Sequence, residues 1–537
     1  MASEFSPGDD VRDNWTTPIP GTITRMSLTR YLLRAAKDPR TAISAEAALA
    51  YGHSGVFGSN VGNLLFADSV HRLLSTPDND VVADSYVTEK YSTRRHIARI
   101  DREFDHFVIP LANAFRRRFL DPLRRLTEVI EGLTIPVTVV GVGAQFGIER
   151  DTILSDDIEV VVTRFARAVL DHSAKIGVRG DQTRLFLRRL GFGDEHVEVI
   201  GCPAVYLRGP ENTVVVGDAP TPDSGIAMSI SPYAKQVVPF VRRTLDTYRN
   251  AVYFPQNHTD LALMLWGEDL PGKYDPVLPT HTRHVLYREG RMRFPLDSRT
   301  WVDSLSEFDY AVGTRIHGTI AALLSRTPAT ILPFDSRTLE LAEYHEIPRH
   351  KLATAGRKAT VESLFAESDW SAYNRGLKPR FETLMRFFDV NGLTHIGQDG
   401  SANPAYEEQV AAAPFREPVR PLVPASPRYE TDIADRVRWL RHRTTAAGIA
   451  AERTVRPSFS PLGYRPGRQQ EPEVRRQLRA VVAGKRGEEA QIAALTAELD
   501  RRVAGGGVVA APTQTPVGRL ATARTHVRRL GRRILQG

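Results

Sequence analysis

Cysteine is nearly absent: the 537 residues contain one, Cys202. No intramolecular disulfide can form, and a zinc site built on several thiolates is excluded. Such sparing use fits a reducing compartment. Long apolar runs are lacking as well. No stretch approaches the roughly 18 uninterrupted apolar residues of a membrane span, so none is expected. The opening residues, MASEFSPGDDVRDNW, are polar and acidic, without the basic and apolar regions of a secretory signal. The expected location is the cytoplasm, with peripheral contact at the inner face of the membrane left open. Several chemical motifs are missing too. No G-x-x-x-x-G-K-[ST] occurs, which argues against P-loop phosphate transfer, and there is no H-E-x-x-H, EF-hand loop or G-x-S-x-G. No metal ligand set and no cofactor are expected.

What is present is the composition of a soluble globular protein, with 42% hydrophobic and 25% charged residues. This excludes a collagen, a wholly disordered chain and a multi-span membrane protein. The length allows about three or four domains at roughly 150 residues each. Lysine and arginine number 71 against 63 acidic residues, a net charge of +8. That balance points to an anionic partner: nucleic acid, an acidic membrane surface or an anionic substrate.

The chain divides by texture. Residues 1–50 are expected to form a polar lead-in with one short amphipathic stretch near Leu28–Ala36. Residues 51–215 alternate apolar runs with amphipathic helical patterns. Strands are expected at Ile135–Val140, Ile176–Arg179 and Val197–Ile200, and a helix from Gln182 to Leu190. The segment Gly217–Asp223, rich in Gly, Pro and Asp, reads as a linker. Alternation restarts over 224–395, with strands expected at Ile226–Ile230, Ala251–Phe254, His284–Tyr287, Tyr310–Val312 and Ala329–Leu332. Strands alternating with helices predict parallel sheets covered on both faces. The expected fold is therefore α/β, two Rossmann-like domains facing a cleft, where ligands usually sit. Residues 396–537 are expected to be a Pro/Ala-rich linker, irregular over 401–427, then a helical and partly disordered basic extension. Helices are expected at Thr431–Ala447 and Glu473–Val503. The second carries a short 4-3 apolar spacing that would give weak self-association through 473–503. The last segment, Thr513–Gly537, holds six arginines and no acid, with Leu520, Ala523, Val527, Leu530 and Ile534 on one helical face. This basic amphipathic tail suits an anionic membrane surface, and a solvated tail is the equal alternative. Nothing in this region resembles a nucleic-acid recognition module, so no nucleic-acid partner is expected.

The sharpest chemical cluster is Gly313-Thr314-Arg315-Ile316-His317-Gly318-Thr319, where a strand ends and a helix begins. A helix N-terminus offers free N–H groups and a positive dipole end. Arg315 offers a fork for carboxylate or phosphate, and His317 suits proton transfer near neutral pH. In an extended turn the two would point the same way. An ion pair for Arg315 and a capping role for His317 also fit, and the spacing alone favours them. A second cluster is Gly177-Val178-Arg179-Gly180-Asp181-Gln182-Thr183, with Arg179 at a strand end and Asp181 as an expected N-cap. A structural salt bridge and a ligand contact are equally consistent with Arg179. In Gly141-Val142-Gly143-Ala144-Gln145 the glycines permit close backbone approach. Gly147 falls one residue too late for a dinucleotide fingerprint. Pro333-Phe334-Asp335-Ser336-Arg337 and Pro255-Gln256-Asn257-His258 follow strands as polar turns. Arg337 could reach the cleft, and His258 could be functional or a surface histidine.

The order of these blocks is more specific than any one of them. N-x-G-N at Asn60–Asn63, then G-V-G-A-Q, I-G-V-R-G-D-Q-T, V-I-G-C-P-A, G-T-R-I-H-G-T-I-A-A-L and D-S-R together resemble the polysaccharide pyruvyl transferase family over roughly residues 52–350. The resemblance implies a two-domain fold similar to GT-B glycosyltransferases, with 51–215 on the acceptor side and 224–395 on the donor side. It implies transfer of the enolpyruvyl group of phosphoenolpyruvate to a sugar of a cell-envelope polysaccharide or glycolipid, leaving a pyruvate ketal. The acceptor would be a glycan or lipid-linked saccharide. His317 would be the general acid/base; Arg315, Ile316 and Arg179 would bind the donor. Arg337, which stands where relatives often carry lysine, would bind the donor as well, with its charge kept and its geometry different. Asn60, Asn63, Gly143, Gln145, Asp181, His258 and Asp335 are further expected cleft-lining positions. Competing readings are a GT-B glycosyltransferase using a nucleotide sugar, and a non-enzymatic protein binding an anionic polymer or membrane.

Overall fold

The computed structural model describes residues 28–432, apart from 51–55, 59, 91, 147–155, 267–269, 271–274, 424–426 and 429. The expected self-association segment 473–503, the basic tail 513–537, Gly147, residues 1–27 and nearly all of the Thr431–Ala447 helix lie outside the described residues.

The first unit is built on β1 (Thr29–Leu33), β2 (Asn79–Ala83), β3 (His106–Pro110) and β4 (Val137–Val140), in the order β2-β1-β3-β4. Every pairing is parallel. Strand β5 (Ile176–Val178) pairs with β6 (Val197–Val199), and a parallel bridge from Val142 to Val178 continues the sheet past β4. The four residues of β4, Val-Thr-Val-Val, are all buried. β-branched residues covered on both faces are what a parallel sheet requires.

The second unit carries β7 (Ile226–Ser229), β8 (Ala251–Tyr253), β9 (Tyr310–Gly313) and β10 (Ala329–Ile331), in the parallel order β10-β9-β7-β8. The chain leaves β7 towards β8 on one side and returns as β9 on the other. This reversal opens a crevice at the carboxyl ends of β7 and β9, where ligands bind in open α/β sheets. The first sheet reverses in the same way between β1 and β3. The two units form the expected α/β fold of two Rossmann-like domains facing a cleft.

Three expectations need correction. The stretch near Leu28–Ala36 is no lead-in: Thr29–Leu33 is β1, an interior strand with Tyr31, Leu32 and Leu33 buried in succession. A buried run that short has no period to separate strand from helix. His284–Tyr287 is not a strand. Val285–Arg288 is a helical turn, capped by His284 Nδ1, which accepts from the Leu286 N–H at 3.2 Å. Residues 401–427 are not simply irregular, since Pro404–Ala412 is a helix. Asn403 caps it, accepting from the Tyr406 N–H at 3.1 Å, and Pro404 supplies a preset first turn. Tyr406 is buried and stacks on His71 at 5.6 Å.

The two units are tied by the end of the chain's second half. The helix Ser371–Val390 returns to the first unit. Beyond it Asn391 Oδ1 accepts from the Lys175 N–H at 3.1 Å, and the Ile396 N–H donates to the Leu73 carbonyl at 2.9 Å. No helix among the described residues is long and apolar enough to cross a membrane.

Candidate active site

Strand β9 ends at Gly313, and the chain turns at once into the helix Ile316–Leu324. The turn is pinned to β7. The Thr314 and Arg315 N–H groups donate to the Ser229 carbonyl at 2.9 and 3.2 Å, and the Ser231 N–H donates to Thr314 Oγ1 at 2.7 Å. Arg315 is the extended N-cap residue and His317 the second residue of the helix. The pair reaches one crevice through this turn rather than through an extended strand. Ile316 between them packs against the core.

Arg315 Nη2 donates to Asn257 Oδ1 at 2.6 Å, while its Nε is buried without a partner. Behind it, burial pushes the Asp260 carboxyl up to about 6 against the opposing pull of Arg315. Asn257 in turn forms a bridge with Asn60 of the first unit. His317 is half-buried, with Nε2 3.8 Å from Cys202 Sγ. Burial raises the Cys202 thiol to about 11, so it faces the imidazole uncharged. Burial first, then the charges of Arg179, Arg315 and Arg337, press the imidazole down to about 3. At neutral pH His317 is therefore a neutral imidazole surrounded by guanidinium groups.

Arg179 follows β5 and is buried. Its Nη2 makes a long hydrogen bond to the Gly141 carbonyl at 3.4 Å, and its Nε has no partner. Gly143 explains the glycine pair of that block. A Cβ there would lie 2.3 Å from Arg179 Cδ, so the missing side chain is the space the arginine stem occupies. Gly62 does the same for the imidazole: a Cβ there would lie 2.5 Å from His317 Nδ1. In the N-x-G-N block it is thus the glycine that meets His317. Asn60 Oδ1 accepts from the Gly62 N–H at 2.9 Å, and Asn63 is turned away, its Nδ2 donating to the Phe57 carbonyl at 2.9 Å.

Arg337 lies in the helix Ser336–Tyr344, paired with Asp335. Asp335 also caps that helix, accepting from the Thr338 N–H at 3.0 Å. The remaining expected positions are not drawn in. Asp181 is exposed, paired with Arg184 at 3.0 Å, and it is the first helical residue while Gly180 is the cap. His258 Nε2 faces the Leu49 carbonyl at 3.0 Å. Gln145 is exposed, with its N–H on the Phe115 carbonyl at 3.1 Å.

Residues that the sequence did not single out also belong here. Arg116, half-buried, senses the charges of Arg337, Arg118 and Arg179. Glu340 is buried, and crosses between the units: Oε1 accepts from the Thr183 N–H at 2.7 Å and Oε2 from Thr183 Oγ1 at 3.1 Å. Ser336, Glu340 and Tyr344 stand four residues apart on one helix face. All three bond to the first unit, Ser336 to Phe146 and Tyr344 to the Val199 carbonyl. The helix bearing Arg337 is thereby moored across the cleft. Among the described residues no group of three or more His, Cys, Asp or Glu side chains is placed to hold a metal ion.

A family model described as polysaccharide pyruvyl transferase matches residues 60–336, which spans Arg179, Arg315, His317 and both glycine contacts up to Ser336. The chain belongs to the polysaccharide pyruvyl transferase family. As a member it is a transferase of polysaccharide biosynthesis. The match stops just before Arg337 and so leaves that arginine to the geometry alone. A search of curated proteins finds no match. Among solved structures, the chain is similar to the Staphylococcus aureus MnaA–UDP co-structure, with 11% identity and a TM-score of 0.35, covering 68% of this chain and 98% of that one. It is similar to Methanocaldococcus jannaschii UDP-GlcNAc 2-epimerase in complex with UDP-GlcNAc and UDP, with 10% identity and a TM-score of 0.36, covering 66% and 100%. A UDP-GlcNAc 2-epimerase from Neisseria meningitidis bound to UDP-GlcNAc gives 9% identity and a TM-score of 0.36, covering 67% and 100%.

Proposed function

We propose that the cleft transfers the enolpyruvyl group of phosphoenolpyruvate to a sugar of an envelope glycan or lipid-linked saccharide, forming a pyruvate ketal and releasing phosphate. The observation that carries this reading is the neutral His317 set among Arg179, Arg315 and Arg337, drawn from both units. A donor with a carboxylate and a phosphate needs several guanidinium forks. Their convergence on one imidazole supports this reading, because a donor held by them would have a proton carrier beside its reacting carbon atoms.

The arithmetic of the reaction fits a base that starts neutral. A sugar hydroxyl attacks C2 of the enol, and its proton is taken by His317 and delivered to the C3 methylene, which becomes a methyl group. A second hydroxyl then displaces phosphate at C2, and its proton leaves with the phosphate. The donor's negative charges would cancel the arginine field and lift the imidazole towards its ordinary range, so that it can hold the proton between the two steps. The N-terminus of the Ile316–Leu324 helix adds a positive dipole end at the same place.

The test is phosphate release from phosphoenolpyruvate in the presence of acceptor. His317→Ala is expected to abolish it while thermal unfolding stays cooperative. Full activity in that variant removes His317 from the mechanism. Thermal stabilisation by nucleotide sugars, and none by phosphoenolpyruvate, would turn the reading to glycosyl transfer.

A further inference from the structure

The loop after β3 holds polar groups that the proposed reaction leaves unused. Phe115 forms a parallel bridge with Ala144, and this fixes the following residue, Arg116, at the carboxyl edge of the first sheet. The Arg116 backbone is extended, and its side chain is half-buried with Nε lacking any hydrogen-bond partner. Burial lowers the guanidinium to about 10, and repulsion from Arg337, Arg118 and Arg179 adds to the effect. No acidic group among the described residues opposes them.

The other cleft arginines differ. Arg337 is paired with Asp335, and Arg315 is held by Asn257 with Asp260 behind it. Arg179 has Glu340 and Asp335 in range. Arg116 has only like charges around it. A partly desolvated cation with no counter-charge is costly in a folded protein, and an anion removes that cost. Asn113, three residues earlier in the same loop, also has both amide atoms buried without partners. Arg337 and Arg179 both act on Arg116, so these three guanidinium groups stand near one another in the cleft. Such a cluster suits a dianion with three free oxygens.

We infer that Arg116 is a ligand for the donor's phosphate group and, with Arg337, forms a phosphate subsite shared by the two units. This rests on the reading of the donor as phosphoenolpyruvate. The same chemistry would hold a phosphate carried by a lipid-linked acceptor, so the test separates the two sources.

Arg116→Gln is compared with the intact chain and with Arg118→Gln, which removes an equal charge from an exposed neighbour. Expected for Arg116→Gln are a rise of about 10- to 100-fold in KM for phosphoenolpyruvate and a similar weakening of competitive inhibition by inorganic phosphate, the loss of one charged hydrogen-bond set. The acceptor KM should be unchanged, and thermal stability without anions should be equal or higher, because a strained charge is gone. A rise in acceptor KM alone overturns the assignment to the donor. No change, or an equal change in Arg118→Gln, overturns a direct contact. If the chain turns over no phosphoenolpyruvate, calorimetric binding of inorganic phosphate still decides. Weaker binding by Arg116→Gln upholds the subsite while the donor reading falls, and equal binding overturns both.

Discussion

Gly62→Ala would probe whether His317 is positioned from the opposite unit. The added Cβ would lie 2.5 Å from His317 Nδ1, 2.9 Å from its Cβ and 2.8 Å from Asn60 Oδ1. Comfortable contact is about 3.5 Å, so the neighbours must give by about 1 Å. Three responses compete. Alanine in a helix gains up to about 1 kcal/mol over glycine, although Gly62 is the first residue of its helix and the gain there is smaller. Overpacking costs about 1–3 kcal/mol where nothing can move. The half-buried imidazole can move, however, whereas the helix backbone behind Gly62 is buried. The strain should therefore be relieved by the ring. Stability should change by no more than about 1 kcal/mol, while a displacement of about 1 Å at a proton carrier should lower kcat by about 100-fold. The assay is acceptor-dependent phosphate release alongside thermal denaturation. Wild-type kcat in Gly62→Ala would refute the argument that this glycine fixes the imidazole.

Two further outcomes are expected. Burial lifts the Glu340 carboxyl to about 7, so between its ordinary 4.5 and that value the folded chain keeps a proton that the unfolded chain has lost. Its contribution to stability is full below pH 4.5 and declines as pH rises towards 7, by at most about 1.4 kcal/mol per pH unit. Glu340→Gln keeps an acceptor for the Thr183 N–H, so it should match the wild type at low pH and exceed it above pH 7; a difference constant with pH would show that the carboxyl does not titrate across the units. Removing residues 513–537 should reduce sedimentation with anionic liposomes, more so at low salt, and equal pelleting would discard the tail as a membrane contact.

Some of this protein can be read from local patterns. Gly313–Thr319 is a strand end followed by a helix start, and so are Gly177–Thr183; in each, every determinant lies within seven residues. The same holds for the buried Val-Thr-Val-Val of β4. Where patterns were too short they misled: Thr29–Leu33 has only three consecutive buried residues, and Val285–Arg288 only one helical turn. A capping histidine and a fully covered strand carry no period.

The sequence by itself determined the alternation of strands and helices, the absence of an intramolecular disulfide, and the order of motifs that places Arg179, Arg315 and His317 in one family. Tertiary structure decided which groups meet them. Gly62 and His317 are 255 positions apart, and Glu340 reaches Thr183 across 157. Arg116 sits in an ordinary run of three arginines until β3 brings it to the sheet edge. Its isolation from acids depends on distances between separate segments. Burial and like-charge repulsion, which set the state of His317 and Arg116, arise only once two sheet edges face each other.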